Sequence, residues 1–201
     1  MDPAGPSRHH KIFTFLICSL DGFHEGAGGD LTWNSRFIDS EFFDWNLRQN
    51  RGVGALVLGR RTYDHFAGFW PSPEAVARMP RTAAFMNDVP KLVVTRTLET
   101  ASWSGTRIVD GSDLAADLER LRATDTGDIA IFGSSDLTVT LLEEGLVDEV
   151  RILVHPVLLG EGRRMYAGLS RSLELATTSV TTFRSGNVLL TYRPMRSTIS
   201  G

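Results

Sequence analysis

Residues Asp128–Tyr166 read DIAIFGSSDLTVTLLEEGLVDEVRILVHPVLLGEGRRMY, and their pattern decides the fold. Ile129 to Phe132 is an apolar run of the length of a buried strand. Gly133-Ser134-Ser135 then turns the chain, and Leu137, Leu141 and Leu142 recur at helical spacing up to Gly145, which fits a C-terminal cap. A second apolar strand runs from about Glu149 to Val154, followed by a loop with Gly160 and Gly162 around Glu161. A strand, a Gly-Ser turn and a helix leave the first N–H groups of the helix without intrahelical acceptors. Such a start attracts anions, phosphates among them. An ordinary strand–helix–strand unit produces the same pattern, so the rest of the chain must separate the two readings.

Upstream, Ile12 to Cys18 is apolar on both faces, which places it centrally in a sheet. It ends in Ser19-Leu20-Asp21-Gly22, followed by a glycine-rich loop from Gly26 to Gly29 and by Asp30-Leu31-Thr32-Trp33. Phe37 to Asn50 has the periodicity of an amphipathic helix. Val53 to Leu58 is a strand; Gly59-Arg60-Arg61-Thr62 follows as a polar turn, and a short helix opens at Tyr63 and Phe66. The Pro-rich segment 70–90 holds a short helical pattern near Thr82 to Met86. Lys91 to Thr95 is a strand ending at Arg96, Arg107 to Val109 a short strand, and Leu114 to Leu121 a helix opened by Ser112 or Asp113. Downstream, Leu173 to Phe183 and Val188 to Tyr192 form strands joined around Ser185-Gly186-Asn187, a hairpin signal.

Alternation of strands and helices calls for a mostly parallel α/β sheet with helices on both faces, and the C-terminal hairpin adds antiparallel strands at one edge. No repeat or linker divides the chain, which predicts one domain over 11–194 with polar tails at 1–10 and 195–201. A net charge of −3 without a Lys/Arg run argues against nucleic acid or an anionic membrane as partner. No apolar run reaches the ~18 residues of a membrane span, and no signal-peptide pattern opens the chain. The single cysteine, Cys18, lies in an apolar strand and reads as a buried thiol of a reduced, cytoplasmic protein. One cysteine and scattered histidines give no zinc-ligand spacing.

Ligands of open α/β sheets bind beyond the carboxyl ends of the strands. Three such ends stand out here: Gly59–Thr62, Thr95–Arg96 and Gly133–Ser135. Together they offer two helix starts, three arginines and several hydroxyls, a set that suits a ligand with several phosphates. Neither a G-x-G-x-x-G fingerprint nor a Walker A sequence is present, which sets aside the standard Rossmann and P-loop readings.

From Lys11 to Pro194 the chain resembles the dihydrofolate reductase superfold, and within it the branch of the C-terminal reductase domain of the bifunctional riboflavin-biosynthesis deaminase–reductase. Ser19-Leu20-Asp21-Gly22 is similar to that branch's first-strand motif. Gly59-Arg60-Arg61-Thr62 resembles its Gly-Arg-x-Thr signature, and Gly133-Ser134-Ser135-x-Leu137 its pyrophosphate turn. Leu146-Val147-Asp148-Glu149 and Pro156 to Gly162 resemble the LVDE and P-x-x-x-G-x-G motifs of the riboflavin branch.

The resemblance implies a three-layer α/β/α fold and hydride transfer from NADPH to a small heterocycle, as in 5-amino-6-(5-phosphoribosylamino)uracil reductase. It also implies a homodimer associating through the sheet edge and terminal hairpin. By this likeness Ser19, Gly59, Thr62, Thr95, Gly133, Ser134, Ser135 and Leu137 belong to the cofactor site, and Arg60, Arg61 or Arg96 meets the 2′-phosphate. Leu31 and Trp33 flank the nicotinamide. An acid placed as in folate reductases, on the helix after the first loop, falls to Glu41 or Asp44, and Asp21 is another candidate acid. Ser134 replaces a glycine that folate reductases hold in a cis Gly–Gly bond, a departure that predicts another geometry here. Two other readings compete: a dihydrofolate or pteridine reductase, and a non-catalytic module binding a dinucleotide or a flavin.

Overall fold

The structure is a computed structural model and describes residues 10–124 and 126–195. Apart from His10 and Met195, the tails expected at either end lie outside the described residues. The strands are β1 (Ile12–Ser19), β2 (Phe23–Glu25), β3 (Val53–Gly59), β4 (Lys91–Val94), β5 (Thr106–Val109), β6 (Asp128–Phe132), β7 (Glu149–His155), β8 (Arg163–Arg164), β9 (Leu175–Thr182) and β10 (Val188–Pro194). The α-helices are α1 (Ser40–Asn50), α2 (Arg60–Phe69), α3 (Pro73–Arg78), α4 (Pro80–Asp88), α5 (Leu114–Arg122) and α6 (Ser135–Glu143).

Eight strands form one sheet in the order β5-β4-β3-β6-β1-β7-β10-β9. The first six run parallel, whereas β10 pairs antiparallel with both β7 and β9. This is the predicted mostly parallel sheet with an antiparallel hairpin at one edge. Side-chain alternation along the central strands feeds two cores, one on each face. Phe13, Phe15, Leu56, Leu58, Ala130 and Phe132 pack with Phe42 of α1, Tyr63 of α2 and Met86 of α4. Ile12, Cys18, Val57, Ile129 and Ile131 pack with Leu114 and Leu118 of α5 and with Leu137, Leu141 and Leu142 of α6. The resulting arrangement is α/β/α, with β1, β3 and β6 buried on both faces.

Several local expectations are corrected. The helix expected from Phe37 is two pieces, a 3₁₀ segment over Thr32–Phe37 and then α1. Ile38 is extended between them, and Asp39 restarts the helix by accepting from the Phe42 N–H at 2.9 Å. Gly59 to Thr62 is no free turn: the chain is helical from Arg60, with Gly59 as N-cap. The segment around Trp70 to Pro90 holds two helices, α3 capped by Ser72 and α4 opened by Pro80. A small two-stranded sheet of β2 and β8 escaped the sequence reading. Asp113, rather than Ser112, caps α5.

The LVDE motif acquires a structural role. Asp148 accepts from the Ile12 N–H at 2.8 Å and from Arg122 at 2.7 Å, so it ties the start of β1 to α5. Glu149 pairs with Lys11 at 3.0 Å and with Arg151 at 2.6 Å. Among the described residues no helix is long and apolar enough to cross a membrane.

Candidate functional site: two helix starts at the carboxyl edge

Because β4, β3, β6, β1 and β7 are successive parallel neighbours, their carboxyl ends bring Thr95, Gly59, Gly133, Ser19 and His155 into one row. At its centre β3 and β6 each feed a helix, α2 and α6, and neither helix start has a side-chain cap. The first N–H groups of both, those of Arg60 and Arg61 and of Ser135 to Leu137, lack intrahelical acceptors and carry the positive ends of the two helix dipoles.

A three-residue staple holds these starts together. Ser134 Oγ accepts from the Gly59 N–H at 2.7 Å and donates to Thr62 Oγ1 at 2.8 Å, while the Ser134 N–H donates to Thr62 Oγ1 at 3.1 Å. Gly133 and Ser134 both lie in the left-handed region, at φ 65° and 54°. A Cβ on Gly133 would stand 3.2 Å from the Thr62 side chain, which explains the glycine. Ser134 takes the same conformation with a side chain, at a cost of roughly 1–2 kcal/mol, and its three hydrogen bonds with Gly59 and Thr62 offset that strain. No cis peptide bond occurs among the described residues, so this turn departs from the Gly–Gly geometry of folate reductases. The Gly59 N–H is taken up by the staple, which leaves the Arg60 and Arg61 N–H groups as the open donors of this helix start.

The three arginines diverge. Arg60 Nε donates to both carboxylate oxygens of Asp64, at 2.9 and 2.8 Å, and its Nη1 reaches Thr97 at 3.4 Å. Arg61 turns the other way, to Glu25 of β2 at 3.0 Å. Arg96 is exposed just beyond β4, close enough to help hold the Asp110 carboxyl below its usual value, after the larger effect of the Ser112 hydrogen bonds. Thr95 Oγ1 accepts from the N–H groups of Thr97 and Leu98 at 3.2 and 3.3 Å, forming the turn that carries Arg96.

The loop of the P-x-x-x-G-x-G motif crosses over the end of β1. Asp21 accepts from Ser19 Oγ at 2.6 Å and from the Leu159 and Gly160 N–H groups at 3.1 and 2.8 Å. The Ser19 hydrogen bond, followed by those backbone N–H groups, pulls the Asp21 carboxyl down to about 2. It is ionised at neutral pH, and its two oxygens anchor the loop to the end of β1. Past Gly162 the loop reaches α6, where Arg163 pairs with Asp136 at 2.6 Å and the Tyr166 N–H donates to Ser135 Oγ at 3.0 Å. Leu137 lies in the core beneath. Burial, and secondarily Asp21, pushes the Cys18 thiol up to about 11, so it stays a thiol.

Glu41, in the first turn of α1, accepts from the Arg184 N–H in the β9–β10 turn at 2.8 Å, and Asp44 is exposed one turn on. Trp33 is buried and meets the His155 ring edge-on at 5.5 Å, whereas Leu31 is only partly covered. His155 was missed by the sequence reading, since a lone histidine ending an apolar strand looks like core. It is fully buried at the end of β7, with Phe37 stacked on it at 5.0 Å. Asn187 Nδ2 donates to the Phe37 carbonyl at 2.6 Å, which leaves Asn187 Oδ1 to accept from His155 Nδ1 at 2.7 Å. Burial lowers the His155 pKa, keeping the ring neutral, and the imidazole ties the Thr32–Phe37 segment to the β9–β10 turn. Asn187, read only as part of a hairpin signal, completes this link.

The RibD C-terminal domain family matches residues 10–189. The uncharacterized protein YyaP of Bacillus subtilis is 28% identical over 185 residues, covering 92% of this chain and 95% of its own. A Shewanella protein provisionally named for riboflavin biosynthesis superposes with a TM-score of 0.67 at 24% identity, covering 92% of this chain and 99% of that one. The Thermotoga maritima diaminohydroxyphosphoribosylaminopyrimidine deaminase/5-amino-6-(5-phosphoribosylamino)uracil reductase superposes with a TM-score of 0.67 at 16% identity. That likeness covers 92% of this chain and 57% of the Thermotoga chain, so the present chain spans little more than half of the bifunctional protein. With its residues 10–189 matched, the chain belongs to the RibD C-terminal domain family.

Proposed function

We propose that this chain is an NADPH-dependent reductase acting on a small heterocycle, of the kind named for the Thermotoga bifunctional relative. The observation that carries the reading is the pair of uncapped helix starts on neighbouring strands, stapled by Gly59, Thr62 and Ser134. Two adjacent N-termini provide backbone N–H donors for two linked phosphates. These residues fit a dinucleotide: α6 receives the pyrophosphate, α2 a second phosphate group, and Arg60 and Arg96 flank the side of the cradle towards β4. Arg61, committed to Glu25 on the opposite side, contributes less. Bound there, NADPH supplies the hydride, and the protein supplies position and electrostatics.

Phe37, half-buried and backed by the buried Trp33 and His155, lies at the far end of the row beside β7, and a planar substrate would lie against it next to the nicotinamide. Glu41, the acid candidate of α1 closest to the β9–β10 turn, is held there by the Arg184 N–H, and Asp44 is exposed one turn on. The reading goes with a cytoplasmic enzyme whose partners are small molecules and a second copy of itself.

Titration of the purified protein with NADPH and NADH tests it. Replacing Arg60 and Arg96 together by Ala should weaken NADPH by tenfold or more, about 1.4 kcal/mol or beyond, and leave NADH nearly unchanged. Equal weakening of the two nucleotides would remove the 2′-phosphate role. Failure of the wild type to bind either nucleotide, with flavin mononucleotide bound instead, would replace the reductase reading by a flavin-binding one.

A further inference from the structure

The two-stranded ribbon of β2 and β8 reaches from one helix start to the other. Its Glu25 and Arg163 are register partners, and each holds the second residue of a helix. Glu25 pairs with Arg61 of α2 at 3.0 Å, and Arg163 with Asp136 of α6 at 2.6 Å. Positive and negative groups thus alternate from Arg61 through Glu25 and Arg163 to Asp136. His24, beside Glu25, lies close enough to feel all four charges, but burial holds its ring below the usual value, so it adds no charge of its own at neutral pH.

The two ion pairs differ in what a ligand would do to them. Glu25 belongs to β2 and its side chain is 15% exposed, so its pair with Arg61 lies off the helix end and is partly shielded from water. Asp136 is 67% exposed and stands on α6 itself, as the acid of its first turn. There its carboxylate complements the positive helix end. The same place receives the pyrophosphate in the function proposed above, and two negative groups meet there only against repulsion. Arg163 can resolve the conflict. An ion pair this exposed contributes little to stability, so little is lost when Asp136 gives up its partner. Asp136 also makes poor use of the guanidinium: both its oxygens bond to Nη2 alone, whereas a phosphate can take two nitrogens of the fork. The backbone of Arg163 stays in place throughout. The close approach of Gly162 to β2 fixes the loop on one side of it, and the Tyr166 N–H bond to Ser135 Oγ at 3.0 Å fixes it to α6 on the other.

We propose that Arg163 is a further residue of the dinucleotide site, an inference that rests on the reductase reading. Its guanidinium, held here by Asp136, transfers to the pyrophosphate when the dinucleotide binds, and Asp136 is the internal competitor that sets the affinity. The ligand feature it recognises is the diphosphate bridge, with or without a 2′-phosphate. That separates its role from the one given to Arg60 and Arg96.

Calorimetric titration of the full chain with NADPH and NADH at low ionic strength tests this. Arg163→Gln should weaken both dinucleotides alike, by about tenfold. Asp136→Asn should tighten both by about threefold, because Arg163 no longer has to be drawn from a carboxylate. In the double variant that gain should vanish, since it acts through Arg163. A gain that persists without Arg163 would reduce Asp136 to a repelling charge and overturn the exchange. Unchanged or weaker binding by Asp136→Asn would make the pair a structural tie of the loop, and would overturn it as well. A wild type that binds neither dinucleotide defeats the reductase reading and this proposal together. A wild type that binds both, matched by Arg163→Gln, defeats this proposal alone.

Discussion

Lys91 enters β4 with its ammonium almost sealed from water, donating to the Asn87 and Val89 carbonyls at 3.0 and 2.6 Å and lying 4.4 Å over the Trp103 ring. Trp103 in turn donates to Asn87 Oδ1 at 2.8 Å, so one cation fixes the loop between β4 and β5 to the end of α4. Burial opposes the charge and brings the lysine down to about 8 from 10.5. Between those two values the unfolded chain holds a proton that the folded chain has released, so stability rises with pH across the window. Wild type should therefore gain stability relative to Lys91→Met between pH 8 and 10.5, by an amount on the order of 2 kcal/mol. Urea unfolding of both proteins at the two pH values checks this, and parallel behaviour would mean that the ammonium is hydrated in solution. Nothing in the sequence distinguished Lys91 from any other strand-opening lysine, because its burial depends on Trp103, twelve residues away in the chain. His155 was hidden for the same reason, its partners being Phe37 and Asn187 on distant segments.

Elements were legible where a period persisted. β1, β3, β6, β7 and α6 carry runs or repeats long enough for the two-faced strand and the 3.6-residue helix to be told apart. β2 and β8 have three and two residues, too few for any period, and exist because the chain crosses itself there. Gly162 marks the crossing: a Cβ at that position would stand closer to the Glu25 carbonyl oxygen than any real contact allows, and its φ of 128° already favours glycine. Through this approach the P-x-x-x-G-x-G loop holds the strand that presents Glu25 to Arg61. Gly162→Ala should cost about 2 kcal/mol or more, since both the clash and the backbone oppose it. It should also free Arg61. Chemical denaturation gives the first quantity, and faster amide exchange confined to Phe23–Glu25 and Arg163–Arg164 gives the second. A substitution tolerated without loss would show that the crossing relaxes easily. The cradle was legible for a different reason, because phosphate sites on α/β folds are built from backbone at strand ends and leave Gly, Ser and Thr as their trace. Its internal staple was not legible, since which donors are consumed depends on the left-handed turn at Ser134.

The whole sheet has two edges of different character. β5 is four residues long and carries Arg107, features that discourage pairing with another chain. β9 is eight residues long, LATTSVTT, with no charge or proline, and Val180 is 58% exposed on it. Its outer side has no strand neighbour among the described residues. Beside it lies a groove of about 480 Å3 whose walls include Thr178, Ser179 and Thr181 of β9 and Trp45 of α1. A long, uncharged edge left open is a liability unless something covers it. We propose that a second copy does so, antiparallel about a two-fold axis, as befits an isologous contact of one surface with itself. On this arrangement Val180 lies near the axis and meets its own counterpart. Val180→Lys then brings two like charges together at the centre of the contact and should give a monomer, whereas Val180→Thr, which matches its neighbours on β9, should leave the dimer intact. Light scattering at micromolar concentration reads the mass directly. The cradle lies at the strands' carboxyl ends rather than at this edge, so the lysine variant should keep wild-type affinity for NADPH. A wild-type monomer would remove the β9 contact, and a dimer that survives Val180→Lys would move it to another surface.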